Sequence, residues 1–360
     1  MKSIANANAN ANADADVDRM VATDLPSGPP SDSAWNATRC RFRGVGKAVL
    51  ERASSLLARS GSLAAALAVV AVFSLPPSVP GQDGIDAWQT ARELCRGVRY
   101  VRRETREPRP MIVHGVRIDT ATPGLRLHTT SRRADWVLGK TETDRQTTRD
   151  FLRQSRKDGI PMVFAVNADA FSPWPAPFNK STPTDLHGLA VADGLLVSRG
   201  AGTPSLVKRK AAPWRIETTK ADDDTSAVEL AVSGFGLCLD ESKPIAGGAD
   251  VHPRTGVGIT ADGERLIIVA IDGRQPESHG ATTGELGEWL RRFGAVRGIN
   301  MDGGGSTTFA WWDREAEGED KCVLLNRPVG NGVNYAQRPP ESFQATERAN
   351  GNNLGVSMAD

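Results

Sequence analysis

A chain of 360 residues with 39% hydrophobic and 24% charged positions is long enough to bury a full core, as one large domain or two small ones. Its formal net charge of +1 gives no global pull toward nucleic acid, an anionic membrane surface or an acidic polymer. Cys40, Cys95, Cys238 and Cys322 stand far apart with no CxxC or Cys/His cluster, which argues against a structural zinc site and a dithiol redox motif.

The first 60 residues read as an extension without a core. "SIANANANANADADVD" is a low-complexity Asn/Ala/Asp run that cannot bury a face and is expected to be disordered; Met20 offers an alternative translation start. A basic stretch follows, with Arg39, Arg41, Arg43, Lys47, Arg52 and Arg59, and then the apolar run "LAAALAVVAVFSL". That run has 13 residues. Spanning a bilayer takes about 20. A basic flank, a short apolar core and "PPSVPGQ" match an export signal over residues 61–81, with Val79 and Gly81 at the small-residue cleavage positions. The rival is a retained membrane anchor. Either way the rest of the chain is expected outside the cytoplasm, and cleavage leaves three cysteines, enough for one disulfide of undetermined pairing.

Beyond residue 86 no linker interrupts the pattern. "GVRYVRRE", "RPMIVHGVRID" and "GLRLHTTS" predict strands of a meander. A helix is expected over 143–157, with Phe151 and Leu152 on its buried face and Gly159 closing it. "IPMVFAVNAD" predicts a central strand, and the four prolines of "SPWPAPFNKSTPTD" a loop. "LHGLAVADGLLVS" predicts a hairpin turning at Asp193-Gly194.

The clearest unit comes late. "GERLIIVAIDGR" predicts a buried strand ending at Asp272-Gly273-Arg274. In "TTGELGEWLRRFG", Leu286, Trp289, Leu290 and Phe293 fall on one helical face, Thr282 and Glu285 have capping-box spacing, and Gly294 is a terminator. "AVRGIN" is another strand. Strand, helix and strand at this length predict a parallel βαβ crossover. The expected fold is therefore α+β, a mixed β-sheet with that crossover near the C-terminus and flanking helices. Both strands should then end at one sheet edge, bringing Asp272 to Arg274 close to "MDGGGS".

That second loop, in "GINMDGGGSTTFAWW", runs strand–loop–strand, so neither a helix-dipole phosphate site nor a nucleotide P-loop applies. Consecutive glycines let main-chain amides converge on an anion. The competing reading is a tight hairpin in which Asp302 caps its own turn.

"INMDGGGSTTFAW" closely resembles the signature of the phosphodiester glycosidase family. "FAVNADAF" is similar to that family's asparagine-bearing strand end, "IDGRQPESHGATTGELGEWLRRFGA" to its Asp-Gly-Arg segment and helix, "LLNRPVGN" to its Asn-Arg-Pro element, and "TERANGNNLGV" to its closing Glu-Arg segment. The resemblance spans about residues 96–356. It implies hydrolysis of a sugar-1-phosphodiester at the glycosidic bond, releasing free sugar and a phosphomonoester. Its partner would be a sugar phosphodiester or phosphorylated glycan; nucleic acid is not expected, and the membrane only if the apolar segment stays uncleaved.

Such a leaving group needs donors that tighten on phosphate as charge develops more than it needs a strong acid. Arg274, Arg327 and Arg348 are candidates for that clamp, with the amides of Gly303, Gly304 and Gly305; each arginine is alternatively a surface ion-pair partner. The oxocarbenium-like carbon needs a carboxylate, with Asp302 the first candidate and Asp272 and Glu347 the seconds. Asn167, Asn300 and Asn326 are candidates for sugar hydroxyls, or else satisfy their own turns. Ser306 and Thr307 complete the expected substrate loop; Ser306 as a nucleophile, with His187 or His279 as its base, is the weaker idea. No cofactor is expected. A divalent cation between Asp302 and Asp272 is chemically allowed, but no ligand spacing supports it. Two other functions compete: a non-catalytic module that binds phosphorylated glycan, and an exopolysaccharide-assembly protein with Trp311-Trp312 as a partner surface.

Overall fold

A computed structural model describes residues 88–173, 178–336 and 344–359. The expected disordered extension and the export signal lie outside the described residues.

The largest sheet has eight strands, in spatial order Arg92–Cys95, Val98–Thr105, Met111–Asp119, Arg265–Ile271, Arg254–Ile259, Arg297–Asn300, Gly236–Asp240 and Lys243–Pro244. A five-stranded sheet is ordered Cys322–Leu324, Phe309–Trp312, Met162–Asn167, Asn353–Met358, Leu125–Thr129. A second five-stranded sheet collects residues 190–233, and a three-stranded one joins Thr143–Asp144, Pro183–Leu186 and Phe171–Ser172. Two helices cover outer faces: α1 (Thr148–Lys157) packs on the Met162–Asn167 sheet and α2 (Thr283–Arg292) on the eight-stranded sheet.

The mixed sheet with a parallel βαβ crossover does not form: the sheets are antiparallel throughout. Arg265–Ile271 and Arg297–Asn300 are not neighbours. Arg254–Ile259 lies between them and pairs antiparallel with each, Arg254 opposite Ile271 and Gly256 opposite Asn300. The misleading signal was the strand–helix–strand order, read as a direct crossover although a third strand intervenes; the unbroken apolar run did not correct it. Leu266, Ile268 and Ala270 enter the main core, while Ile267, Val269 and Ile271 pack under α2. Continuous hydrophobicity reports two covered faces, which parallel strands usually have and this antiparallel strand has as well. Two strands antiparallel to one partner still point the same way. They therefore deliver Asp272 and Asp302 to the same edge.

The meander also stops early. Val98–Thr105 pairs with Met111–Asp119, but Leu125–Thr129 crosses to the other sheet and pairs with Asn353–Met358. Helix α1 starts five residues later than expected, because Thr143–Asp144 is taken up as a strand and the Thr147 side chain caps the Asp150 amide. The α2 capping box of Thr282 and Glu285 is formed, and the Asp193-Gly194 hairpin closes with both residues at positive φ. Met162–Asn167 is central in its sheet and buried at every position. The main core lies where one face of the eight-stranded sheet meets the two five-stranded sheets, with Phe164, Ile268, Ile299 and Phe309 among its members. Cys95, Cys238 and Cys322 are free thiols, so the disulfide that the cysteine count allowed is not made among them.

Candidate active site

The glycine loop is pinned from both sides by asparagines. Asn167, the last residue of its strand, donates from Nδ2 to the Asp302 carbonyl at 2.6 Å, while its Oδ1 accepts from the Thr308 amide at 3.1 Å and from Thr255 Oγ1 at 2.9 Å. Asn326 donates to the Thr307 carbonyl at 3.1 Å and accepts from the Phe309 amide at 2.7 Å. These two side chains hold the loop and are not left free for sugar hydroxyls. Asn300 differs. It is the last residue of the Arg297–Asn300 strand, and its Oδ1 is buried without a hydrogen-bond partner.

Two of the three glycine amides are already engaged within the chain. Gly304 donates to the Pro253 carbonyl at 2.8 Å, and the Gly303 amide faces the Asp302 carboxylate itself. A short 3-10 turn over Gly304–Ser306 follows, with Gly304 at φ +57°. What the missing side chains provide is space for guanidinium groups. A Cβ on Gly304 would sit 3.5 Å from Arg274 Nη2, and one on Gly305 only 2.5 Å from Arg348 Nη2. Arg348 is buried against the face of Phe178, 4.0 Å from the ring centroid, and donates from Nε to the Gly330 carbonyl at 3.2 Å. Arg274 donates to the Gly332 carbonyl at 3.2 Å and holds a positive φ of 59°, a conformation that is costly outside glycine.

Asp302 opens the same loop and lies within reach of the Arg348 charge. Its Oδ2 and the Ser306 Oγ are both buried without a formed hydrogen bond, as is Thr308 Oγ1. Burial pushes the Asp302 carboxyl up to about 6, against the nearby Ser306 hydroxyl, the Arg348 charge and the Gly303 amide, which favour the anion. The Ser306 hydroxyl is close enough to be felt, but its geometry falls short of a formed hydrogen bond. No base engages that hydroxyl either: His187 is hydrogen-bonded to Ser172 Oγ at 2.6 Å.

Asp272 is built in the opposite way. Its Oδ1 accepts from Asn326 Nδ2 at 3.0 Å and from the Arg327 amide at 3.1 Å, and its Oδ2 faces His114 Nε2 at 3.2 Å. Both oxygens are engaged, so Asp272 ties the two loops together. Arg327 joins this knot through its backbone; its half-exposed guanidinium lies 3.6 Å from Glu277. Glu347 is drawn elsewhere, into an ion pair with Arg149 and a hydrogen bond from the Arg149 amide at 3.1 Å, in the first turn of α1. Of the expected residues, the structure thus gathers Asp302, Ser306, Arg274 and Arg348 around the glycine loop. Asp272, Asn167, Asn326 and Thr307 frame it, and the Glu347 carboxylate and the Arg327 guanidinium are committed to other partners. Among the described residues no cluster of three His, Cys, Asp or Glu side chains forms a metal site.

Three contributors escape a reading of the sequence. Asp169, two residues beyond Asn167, accepts from the Ser233 amide and from Asn352 Nδ2, each at 2.7 Å; burial raises its carboxyl well above the usual range, and the Asp302 charge adds to that. Its signal was present in "NADAF", as a second acid on the asparagine's loop. His114 reaches Asp272 from a strand more than 150 residues earlier in the chain, and Tyr100 on the next strand backs His114. Trp311 is buried with the Arg92 guanidinium 4.1 Å over its ring, and the Arg156 guanidinium lies 4.2 Å over Trp312, so the tryptophan pair is packed within the chain and is poorly placed as a partner surface.

No curated protein matches the sequence. Among solved structures, the chain is similar to the zebrafish N-acetylglucosamine-1-phosphodiester alpha-N-acetylglucosaminidase catalytic domain, described as auto-inhibited by its pro-peptide. That match has a TM-score of 0.54 and 16% identity, over 73% of this chain and 83% of that one, a level at which the fold is shared. A hypothetical protein from Synechocystis matches with a TM-score of 0.47 and 14% identity, over 75% of this chain and 63% of that one. The phosphodiester glycosidase family model matches residues 161–356, more than half of the chain, and that span contains both aspartates, the glycine loop and the two arginines against it. The chain belongs to the phosphodiester glycosidase family.

Proposed function

We propose that this protein is an exported hydrolase that cleaves the glycosidic bond of a sugar-1-phosphodiester, on a small molecule or a phosphorylated glycan, and releases free sugar and a phosphomonoester. Family membership supports the reaction class. One observation carries the residue assignment: two guanidinium groups pack against side-chain-free loop positions, beside a buried carboxylate whose Oδ2 has no hydrogen-bond partner.

In this reading Arg274 and Arg348 bind the phosphate. The anomeric C–O bond breaks with its electron pair going to the phosphate oxygen, and the arginines gain strength as that charge grows. Asp302 meets the oxocarbenium-like carbon as nucleophile or as base for the entering water, which supplies the new hydroxyl. Either role needs the anion, so activity should rise as pH passes through about 6, the value to which burial pushes this group. Ser306 Oγ and Asn300 Oδ1, both buried and unpartnered, are suited to sugar hydroxyls.

The test is release of free sugar from a sugar-1-phosphodiester by the purified chain, beside Asp302→Asn. Turnover by the parent and none by the variant supports the assignment. Full activity in the variant removes Asp302 from the chemistry. Tight binding without turnover by the parent, over a panel of such diesters, points instead to a glycan-binding module.

A further inference from the structure

The chain spends a buried histidine and a tyrosine on Asp272. His114 sits in the Met111–Asp119 strand and is 1% exposed. Its Nε2 faces Asp272 Oδ2 at 3.2 Å, and its Nδ1 lies 2.8 Å from the Tyr100 hydroxyl on the adjacent strand. The ring is boxed in further, with Tyr100 stacked at 6.0 Å and the Phe309 edge at 6.5 Å. Facing a carboxylate oxygen, Nε2 is the ring's donor; with one ring hydrogen Nδ1 then accepts from the Tyr100 hydroxyl at 2.8 Å, a closer acceptor than the Leu325 carbonyl at 3.5 Å. Burial pushes that hydroxyl up to about 12, which keeps it a donor at neutral pH. The charges around this pair are Asp272 itself, with Arg92 and Arg102 near the tyrosine.

The series continues past Asp272. Its Oδ1 receives Asn326 Nδ2, and the same amide group reaches the Thr307 carbonyl, directly after Ser306. An uninterrupted set of hydrogen bonds thus runs from Tyr100 through His114, Asp272 and Asn326 to the end of the glycine loop. A rotation of Asp272 would free the Arg327 amide and remove one of the three hydrogen bonds that orient Asn326.

We propose that Tyr100 and His114 are positioning residues, which lock Asp272 in the one orientation that clamps Asn326 and thereby set the placement of the Ser306–Thr307 end of the loop beside Asp302. This rests on the hydrolase reading above for its catalytic consequence, and on the hydrogen-bond geometry alone for the linkage.

The experiment has two arms. In the kinetic arm, Tyr100→Phe removes a single hydroxyl; kcat is expected to fall about tenfold with KM within twofold, as for other residues that orient a site from behind. His114→Gln, which can keep a donor toward Asp272, should retain more kcat than His114→Leu. Parental kcat in folded Tyr100→Phe, with only stability lowered, would overturn the proposal. In the spectroscopic arm, ¹⁵N NMR of the parent should show His114 as the Nε2–H tautomer, shifting on Asp272→Asn and on Tyr100→Phe. An Nδ1–H tautomer, or signals indifferent to both changes, would overturn the linkage. If the parent releases no sugar while the NMR coupling is present, the hydrolase reading fails and the linkage stands.

Discussion

Asp272 and Asp302 end strands that point the same way, at one edge of one sheet, yet their surroundings are opposites. Asp272 is saturated: His114, Asn326 and the Arg327 amide take both oxygens. Asp302 is buried too but keeps an unpartnered Oδ2, next to an unpartnered Ser306 Oγ and within reach of the Arg348 charge. A buried acceptor left unmade costs about 1–3 kcal/mol, more when charged, so folding alone would not favour the second arrangement. The contrast teaches which acid is cement and which is poised for a ligand. Strain gathers at the poised one, where Arg274 adopts positive φ and glycine stands against each guanidinium.

The contrast can be broken most sharply at Asp302. Asp302→Asn should cut kcat for sugar release by about 10³-fold, the scale of losing a positioned acid–base group, with the fold intact. Asp272→Ala should mainly cost stability, about 3 kcal/mol or more in chemical denaturation, because His114 Nε2 and the Arg327 amide lose their buried acceptor, with a smaller loss of kcat, about tenfold, as the Asn326 clamp loosens. If the two substitutions exchanged effects, the division of labour would be reversed.

A third measurement uses pH. Burial raises the Asp302 carboxyl from 3.8 to about 6 in the folded protein. Between those values the folded state binds more protons than the unfolded one, so stability falls as pH rises through the window. The cost is complete above about 6 and amounts to about 3 kcal/mol at most. Asp302→Asn should therefore be more stable than the parent at pH 8, with the difference shrinking as pH drops toward 4; equal stability at both pH values would show that Asp302 is not strained.

Gly305→Ala sharpens the arginine side of the comparison. The new methyl would lie 2.5 Å from Arg348 Nη2 and must displace this buried guanidinium, so KM for the diester should rise about tenfold or more, with some loss of stability as its contacts to Phe178 and the Gly330 carbonyl weaken. The smallest effect on activity belongs to Glu347→Gln, which removes the charge of a buried carboxylate paired with the partly exposed Arg149: about 1–3 kcal/mol of stability and unchanged kcat/KM.

What the sequence made legible was local. The Thr282/Glu285 capping box, the Asp193-Gly194 turn and the buried Met162–Asn167 strand each depend on residues within a few positions, and each is formed. The edge shared by Asp272 and Asp302 was also legible, although the parallel pairing inferred with it was not correct. Placement of Arg254–Ile259 between the two strands is a matter of non-local hydrogen bonding, which no periodicity encodes. The same limit hid His114 behind Asp272 and sent Glu347 to Arg149, since both depend on which distant strand or helix arrives alongside. Glycine was read as a source of amides for an anion; its larger use here is to leave room for Arg274 and Arg348.

A crystal of the protein soaked with a sugar 1-phosphate tests the central claim most directly. The account predicts phosphate oxygens on the guanidinium groups of Arg274 and Arg348, with the anomeric carbon facing Asp302 Oδ2. Phosphate bound at another place on the molecule, with both arginines still turned to the Gly330 and Gly332 carbonyls, would contradict it.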